Sequence, residues 1–444
     1  MCKYDGVADE SPGNGTIARV ATSSATLVLV ALGKIAVLPA LAVGLSSSGF
    51  AVYALVTALL GFAGVTFGLN VNAYTLRAIP GLAHADARRL VATTALVEAS
   101  LAATVLAILA VSGAGRWFLE ALNVSEYSFA FSVAAVWLVV ELVNLNLRGY
   151  LFGMHKVGRA NILELLRQIG WLPLLLVYWV IVGALSVDIL MLALAAGSLL
   201  AAAYGAWAVR LTLRWPIDLA LARRAVLFGA ALIIPGLSLP AMRLADRSVL
   251  SASRSFDEVA AYAFAVGLIT GVYSFTAFAI ETITLPRAAR RMNGGDAAGA
   301  MKVLLTGMTY SAWAFGVGTL LLWLAAPLLA RVLSGTYATG LGLIPLLAAG
   351  YLGLVLSRAP HNALYLQDRT KTILVVDIVA TATAIILDVG LIPSLGITGA
   401  ALASAAGFAL GATGKFATSG LYRGLGWRAL IPTSVPPPTD DDAV

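Results

Sequence analysis

Cysteine, histidine and charged residues are all scarce in this chain of 444 residues. The single cysteine, Cys2, excludes an internal disulfide framework and any cysteine-based metal site or redox motif. The three histidines, His84, His155 and His361, are far apart in the sequence, which argues against a zinc or haem centre. No metal and no cofactor are therefore predicted.

The low content of charge decides the broad class of protein. Asp, Glu, Lys and Arg together make up 11% of the residues, whereas hydrophobic residues make up 60%. Soluble domains contain about 25% charged and about 45–50% apolar residues. So few charges cannot cover the surface of a water-soluble particle of this size, and most of the surface is expected to face lipid. The chain is predicted to be an integral membrane protein.

Twelve segments are long and apolar enough to cross a bilayer core of about 30 Å, which takes about 20 residues per helix. The alternating pattern of an outer-membrane barrel is absent, so helices are the remaining way to span. The sequence SSSG at 46–49 marks a turn between the first two segments. The predicted spans are 20–43, 50–71, 91–112, 128–148, 161–183, 189–209, 225–245, 259–282, 303–325, 340–360, 371–391 and 397–420.

Weak internal similarity predicts that the helices form two related bundles. The sequence FAVYA (50–54) opens the second span and VAAYA (259–263) opens the eighth. The expected fold is an all-α polytopic membrane protein with two six-helix bundles. The predicted divisions are a disordered tail (1–19), an N-terminal lobe (20–210), a cytoplasmic linker (211–224), a C-terminal lobe (225–420) and a cytoplasmic tail (421–444).

The distribution of positive charge predicts the orientation. Of the 29 Lys and Arg residues, 22 fall in the segments on the side of the two termini and four in the opposite loops. Both termini are therefore expected in the cytoplasm, with anionic lipids as partners. Nucleic-acid binding is not predicted, because the basic residues are scattered over seven loops. The groups at 77–89 and 287–291 are interpreted as solvated determinants of topology.

Eight ionisable residues within the apolar spans are considered as candidate functional residues. Each costs on the order of 2.5–3.5 kcal/mol near the bilayer centre, so each is expected to face a polar interior. They are Lys34, Glu98, Glu141, Glu164, Arg167, Arg243, Glu281 and Asp377.

Lys34 lies near the middle of the first span, five residues before Pro39. It is interpreted as a cation that lines a central cavity and attracts an anionic substrate. The alternative is a structural ion pair with Glu98 or Asp377. Those two carboxylates are also candidates for carrying a coupling proton. Glu281 is a weaker coupling candidate, because it is near the predicted inner interface and could be solvated there.

Two further groups of polar residues are candidate cavity ligands. Glu164 and Arg167 are three residues apart, hence on one helix face, where they form either a self-neutralising pair or, with Gln168, part of the cavity wall. In the seventh span, Pro235 and Pro240 are expected to break the helix. The residues that follow, Arg243, Asp246 and Arg247, form either a substrate-contacting bend or a solvated outer helix end. Asn144 and Asn146 are interpreted as helix caps.

Motifs of catalysis are missing: the sequence contains no G-x-S-x-G elbow, no P-loop and no H-E-x-x-H. The loops are short, with no room for a catalytic domain. An enzyme is therefore not predicted.

Several short motifs occur in order along the chain. With them, residues 17–420 resemble the polysaccharide (lipid-linked oligosaccharide) flippases of the multidrug/oligosaccharidyl-lipid/polysaccharide (MOP) exporter superfamily. The motifs are Tyr53-Ala54 after the serine-rich turn, Pro240 followed by ADRSVL (245–250), EVAAYA (258–263), LPR (285–287), QDRTKT (367–372) and LIPSLGITGAA (391–401).

The resemblance implies a V-shaped, two-lobe carrier that alternates between inward and outward openings in a bacterial or archaeal cytoplasmic membrane. It implies flipping of a polyprenyl-pyrophosphate-linked glycan to the outer leaflet for cell-surface polysaccharides such as O-antigen, lipopolysaccharide or exopolysaccharide, with the polymerase machinery as a further partner. Lys34 occupies a position where such carriers place a basic residue. The alternative is a cation-coupled multidrug exporter of the same superfamily, with Glu98 or Glu164 as its acidic site.

Overall fold

The computed structural model describes residues 30, 33, 35–69, 71–79, 82–154, 156–210, 218–333 and 335–421. These ranges are almost entirely helical and contain no strand. The all-helical, multi-spanning fold predicted from composition is confirmed. The tails 1–19 and 422–444 lie outside the described residues, so the cytoplasmic placement of both termini stays a prediction.

Nine helices precede the predicted linker. They are α1 (Ile35–Gly44), α2 (Ser47–Phe67), α3 (Val71–Ala78), α4 (His84–Val111), α5 (Ala114–Ala121), α6 (Ser128–Gly153), α7 (Val157–Ile169), α8 (Leu172–Val182) and α9 (Val187–Val209).

Eight helices follow, the first of which begins inside the predicted linker 211–224. They are α10 (Leu219–Ser253), α11 (Phe256–Tyr273), α12 (Ala279–Asn293), α13 (Ala297–Val332), α14 (Gly335–Leu341), α15 (Ile344–Leu366), α16 (Thr370–Leu395) and α17 (Ile397–Ser419).

Within the described ranges, nine helices are long and apolar enough to cross a membrane, or ten if the bent pair α14 and α15 is one span. The predicted number of twelve is not confirmed. Two predicted spans are not among these helices: 20–43 lies largely outside the described residues, and 225–245 lies within α10.

Serine and aspartate side chains fix where several helices begin. The Ser46 hydroxyl accepts a hydrogen bond from the Gly49 amide at 3.1 Å, so the predicted serine-rich turn is the N-terminal cap of α2. The same three-residue spacing recurs at Ser186, where α9 begins, and at Asp218, where α10 begins. These local signals set the boundaries of the spans before any helix packing is considered.

The helices pack in two groups, α2–α9 and α10–α17, which contact each other mainly through α2 and α3 against α10 and α2 against α11. Many large apolar side chains point outward, as expected for lipid-facing helices; Val180 and Ile386 are 79% and 70% exposed. Close approach requires small residues. A Cβ on Gly350 of α15 would lie 2.9 Å from the Cα of Ala405 on α17.

The expected break in the seventh span is wrong. Helix α10 runs without interruption from Leu219 to Ser253, across both Pro235 and Pro240. Two prolines five residues apart each remove one backbone hydrogen bond, yet the helix is held on both sides by α2 and α16. Packing of a long helix between two partners therefore outweighs the local effect of proline.

Candidate functional site

Arg167 on α7 is the centre of a polar network in the N-terminal group of helices. Its guanidinium donates to both carboxylate oxygens of Glu164, at 2.8 and 3.1 Å, and also to Glu141 on α6. The predicted pair of Glu164 and Arg167 is confirmed. Glu141, which was expected to face a polar interior, is engaged by Arg167.

A second guanidinium completes this network. Arg148, which the topology argument placed in a loop, lies on α6 and forms an ion pair with Glu164 at 3.2 Å. Gln168 donates to the same carboxylate at 3.2 Å, and Ser198 on α9 donates to Glu141, also at 3.2 Å. Two arginines therefore meet two glutamates across α6, α7 and α9. We call this set, Glu141, Arg148, Glu164 and Arg167, the balanced cluster.

Glu98 on α4 lies in a different setting. It is 2% exposed, and its Oε2 accepts a hydrogen bond from the Asn146 amide on α6 at 2.6 Å. The Asn146 carbonyl in turn accepts from the Thr94 hydroxyl at 2.8 Å. Glu98 Oε1 has no hydrogen-bond partner, and no described Lys or Arg forms an ion pair with the carboxylate. Lys34, the predicted partner, lies outside the described residues.

The interpretation of the asparagines as helix caps is wrong. Asn144 and Asn146 are both fully buried within α6. Asn144 donates to the backbone carbonyl and the hydroxyl of Ser198 on α9, each at 2.9 Å. These amides cross-link helices, because buried amide groups require partners and the neighbouring helices supply them.

The C-terminal group of helices contains a second acidic site, around Asp246 on α10. The Tyr262 hydroxyl on α11 donates to Asp246 at 2.8 Å and lies 3.4 Å from Ser404 on α17. Asp388 on α16 is 1% exposed and lies near enough for its charge to act on Asp246. The other oxygen of Asp246 and one oxygen of Asp388 have no hydrogen-bond partner among the described atoms.

Asp388 was missed by the sequence reasoning, although a signal for it existed. It lies inside the predicted span 371–391, three residues from the end of that segment. It was not among the eight ionisable residues considered within the spans. Its burial depends on the packing of α16 against α10 and α17.

The two arginines of α10 have separate contacts. Arg247 is 8% exposed and donates to the backbone carbonyl of Ala54 on α2 at 2.7 Å. Arg243 donates to the Thr270 hydroxyl at 3.2 Å, and Thr270 contacts the Tyr351 hydroxyl at 2.9 Å. The alternative of a solvated outer helix end is wrong for Asp246 and Arg247, because both are buried between helices.

Asp377 and Glu281, two of the predicted coupling residues, are each in an ion pair. Lys415 on α17 lies 2.6 Å from Asp377 on α16, so Asp377 has a described ion-pair partner other than Lys34, which the alternative interpretation gave it. Glu281 on α12 contacts Arg358 on α15 and accepts from the Asn362 amide at 2.9 Å. The expectation that Glu281 is solvated is wrong.

The two groups of helices contact each other near both ends of α10. Near its start, Tyr74 of α3 packs against Phe228 with ring centroids 5.6 Å apart, and Arg89 of α4 forms an ion pair with Asp218 at 3.9 Å.

A second set of contacts lies near the end of α10. Ser251 on α10 donates to the Leu122 carbonyl at 2.6 Å, and Arg247 bonds to α2 in the same region. Beside them, Phe50 of α2 makes edge-to-face contacts with Phe264 and Tyr337 at ring distances of 6.1 and 5.5 Å. We call this junction, formed by α2, α10, α11 and α14, the closed end.

The architecture is similar to that of solved transporters. The inward-facing form of a multidrug resistance MATE family transporter of the MOP superfamily aligns with a TM-score of 0.63, covering 92% of this chain and 96% of the other at 15% identity. The chain has the MATE fold. The outward-facing form of a multidrug resistance MATE family transporter of the MOP superfamily aligns with a TM-score of 0.53 at 14% identity. A MATE in complex with MaD3S aligns with a TM-score of 0.58, also at 14% identity.

The outward-facing structure is covered over 91% of this chain and 96% of its own, and the MaD3S complex over 92% and 96%. No family model matches the sequence, and no curated protein matches it significantly. The likeness to these structures shows the fold alone, so the predicted superfamily and the narrower resemblance to glycan flippases both stay predictions.

Proposed function

We propose that this protein exports small organic molecules across a membrane by alternating access, driven by a cation. The MATE fold supports transport, and two of the similar structures are of multidrug resistance transporters. The observation that carries the proposal is the set of buried carboxylates without a described counter-charge. Glu98 in the N-terminal group and Asp388 in the C-terminal group are the two members.

A buried carboxylate without a counter-charge is costly in its ionised form. Such a group is expected to hold a proton or a metal cation in at least one state of a transport cycle. Glu98 is favoured as the coupling residue, because its only side-chain partner, Asn146, is a neutral amide that can serve either protonation state. Asp388 and Asp246 form a second candidate, in which the Tyr262 hydroxyl donates to Asp246 and the charge of Asp246 acts on Asp388.

Several cations of the described interior are paired with carboxylates. Arg167 and Arg148 are neutralised within the balanced cluster, and Lys415 is paired with Asp377. Binding of a pyrophosphate requires guanidinium or ammonium groups that are free to donate. In the described part of the N-terminal group, the paired cations favour a neutral or cationic substrate over a lipid pyrophosphate. In the C-terminal group, the Nε atoms of Arg243 and Arg247 have no described hydrogen-bond partner.

The closed end supports the alternating-access part of the proposal. If the termini are cytoplasmic, as the distribution of Lys and Arg predicts, the closed end is the outward-facing end of the bundle. Arg247 then holds an outer gate by donating to the Ala54 carbonyl. A transport cycle would require this hydrogen bond to break in the outward-open state.

The experiment separates the exporter from a glycan flippase. The gene is expressed in a bacterial strain that lacks its main drug-efflux pumps, and accumulation of ethidium, an organic cation, is followed by fluorescence. In parallel, it is expressed in a strain that lacks its lipid-linked glycan flippase, and surface polymer is stained. Lower ethidium accumulation without restored polymer is expected, whereas restored polymer with unchanged ethidium would overturn the proposal.

Variants tie the activity to Glu98. Glu98→Gln should abolish efflux while the protein is still present in the membrane at the normal amount. The matched control is Glu126→Gln, which removes the same charge from an exposed position. Full efflux by Glu98→Gln would exclude Glu98 as the coupling residue.

A further inference from the structure

A cavity of ≈ 630 Å³ lies at the ends of four helices in the N-terminal group. It is formed where α4 and α7 begin and where α6 and α9 end. Five of the residues that line it are basic, and none of its described lining residues is acidic. We call it the cationic pocket, and its basic residues are His84, Arg88, Lys156, Arg159 and Arg210.

Neutral groups, rather than carboxylates, position these side chains. The Lys156 ammonium lies over the ring of Tyr150, 5.6 Å from its centroid. Arg159 donates to the Ala208 carbonyl at 3.1 Å, and Arg88 donates to the His84 carbonyl at 3.3 Å. Most of the guanidinium N–H groups of both arginines are thus left available to a ligand, since each guanidinium carries five.

The positive charges act on one another. Partial burial lowers the pKa of the Lys156 ammonium, and the charges of Arg159, Arg88 and Arg210 lower it further. Like charges gathered in one cavity destabilise the fold unless an anion compensates them. The arrangement thus differs from the balanced cluster, in which every arginine faces a glutamate.

Backbone groups add to the positive potential. Helices α4 and α7 both begin at the pocket, and neither has a side-chain cap on its first amides. Uncapped N-terminal amides favour anions, because their N–H groups and the helix dipole both point outward there.

An exposed tryptophan indicates where the pocket lies relative to the membrane. Trp207, in the last turn of α9, is 70% exposed and precedes the lining residue Ala208. Its ring packs against Tyr204 at 5.8 Å. Exposed Trp and Tyr side chains are typical of the headgroup level of a bilayer. The pocket is therefore within reach of lipid headgroups as well as of soluble anions.

We propose that the cationic pocket binds a phosphate group, carried by an anionic phospholipid or by a soluble phosphate. Converging Arg and Lys donors of this kind match the acceptor oxygens of a phosphate. Arg88 was interpreted as a solvated determinant of topology, and the structure instead directs it to a cavity. The site is separate from the proposed transport residues Glu98 and Asp388, so it stands or falls independently of the transport function.

Binding is measured on the purified full-length protein with two probes. One is inorganic phosphate, titrated at constant ionic strength against chloride. The other is phosphatidylglycerol in mixed micelles, titrated against phosphatidylcholine. A saturable response to inorganic phosphate identifies a soluble phosphate as sufficient, whereas a response to phosphatidylglycerol alone identifies the lipid headgroup.

The double variant R88Q/K156Q removes two charges from the pocket. The matched control R116Q/R331Q removes two charges from exposed positions outside it. The pocket variant should bind the responsive probe at least about tenfold more weakly, since each lost charge-assisted hydrogen bond costs roughly that factor. The control should bind within about twofold of the wild type.

The charge-preserving variant R88K/K156R tests whether a loss of binding comes from the lost charges and not from misfolding. It should retain most of the affinity. Equal binding by R88Q/K156Q and R116Q/R331Q with both probes would overturn the proposal. If R88Q/K156Q does not fold, the single variant Arg88→Gln is compared with Arg116→Gln by the same titrations and the same criterion.

Discussion

Two acidic layers, the balanced cluster and the site of Glu98, both include residues of α6. They differ in whether the carboxylates have counter-charges, and this difference separates a structural role from a functional one. In the balanced cluster, Glu164 and Glu141 face Arg167 and Arg148. In the other layer, Glu98 faces the neutral amide of Asn146 and has no described cation partner. Both layers are shielded from solvent by helices. A carboxylate with its full complement of counter-charges is expected to hold helices together, whereas one without them is free to bind and release a cation.

The largest expected effect comes from breaking the balanced cluster. Arg167→Met removes the guanidinium that two glutamates share and leaves buried negative charge uncompensated. The free energy of unfolding should fall by about 3–5 kcal/mol. Denaturant unfolding in detergent micelles measures this change. Arg116→Met is the control, and a loss of less than about 1 kcal/mol by Arg167→Met would show that the cluster is not a structural unit.

The pair Asp377–Lys415 extends the comparison to the C-terminal group. Lys415→Met should lower the stability by about 3 kcal/mol, because it leaves the Asp377 carboxylate buried without its partner. Adding Asp377→Asn should restore most of that loss, since the uncompensated charge is then removed. A double-mutant cycle of unfolding measures the coupling. Additive effects of the two substitutions would contradict the pairing.

Glu98→Gln should have a much smaller effect on stability than on transport. The amide can keep a hydrogen bond to Asn146, so the free energy of unfolding should change by less than about 1.5 kcal/mol. Efflux of ethidium should nevertheless be lost. Thermal unfolding and efflux are measured on the same preparations. A loss of stability as large as that of Arg167→Met would place Glu98 with the structural charges.

The smallest effect sets the baseline for the series. Arg116 and Glu120 form an exposed ion pair one helical turn apart on α5, at 2.8 Å. Arg116→Ala should change the free energy of unfolding by no more than about 0.5 kcal/mol, because exposed pairs are screened by water and salt. A larger change, measured by the same unfolding assay, would mean that exposure does not distinguish the weak pairs from the strong ones.

The local sequence determined several features of this protein by itself. Low charge and long apolar segments predicted a helical membrane protein, since lipid leaves backbone groups no other partners. The three-residue spacing of Glu164 and Arg167 predicted their ion pair, because that spacing places both on one helix face. The serine-rich turn at 46–49 predicted the start of α2 for the same kind of reason: the cap and its amide are neighbours in the chain.

The tertiary structure decided which charges meet. The partners of Asp377, Glu281 and Asp246 come from other helices, between 16 and 77 residues away in the sequence. Arg88 likewise joins Lys156 and Arg210 only because four helix ends converge on one cavity. Helical periodicity assigns a residue to a face of its own helix, but the helix that covers that face is chosen by packing. For that reason the sequence identified most of the buried charges but, beyond Glu164 and Arg167, not their partners.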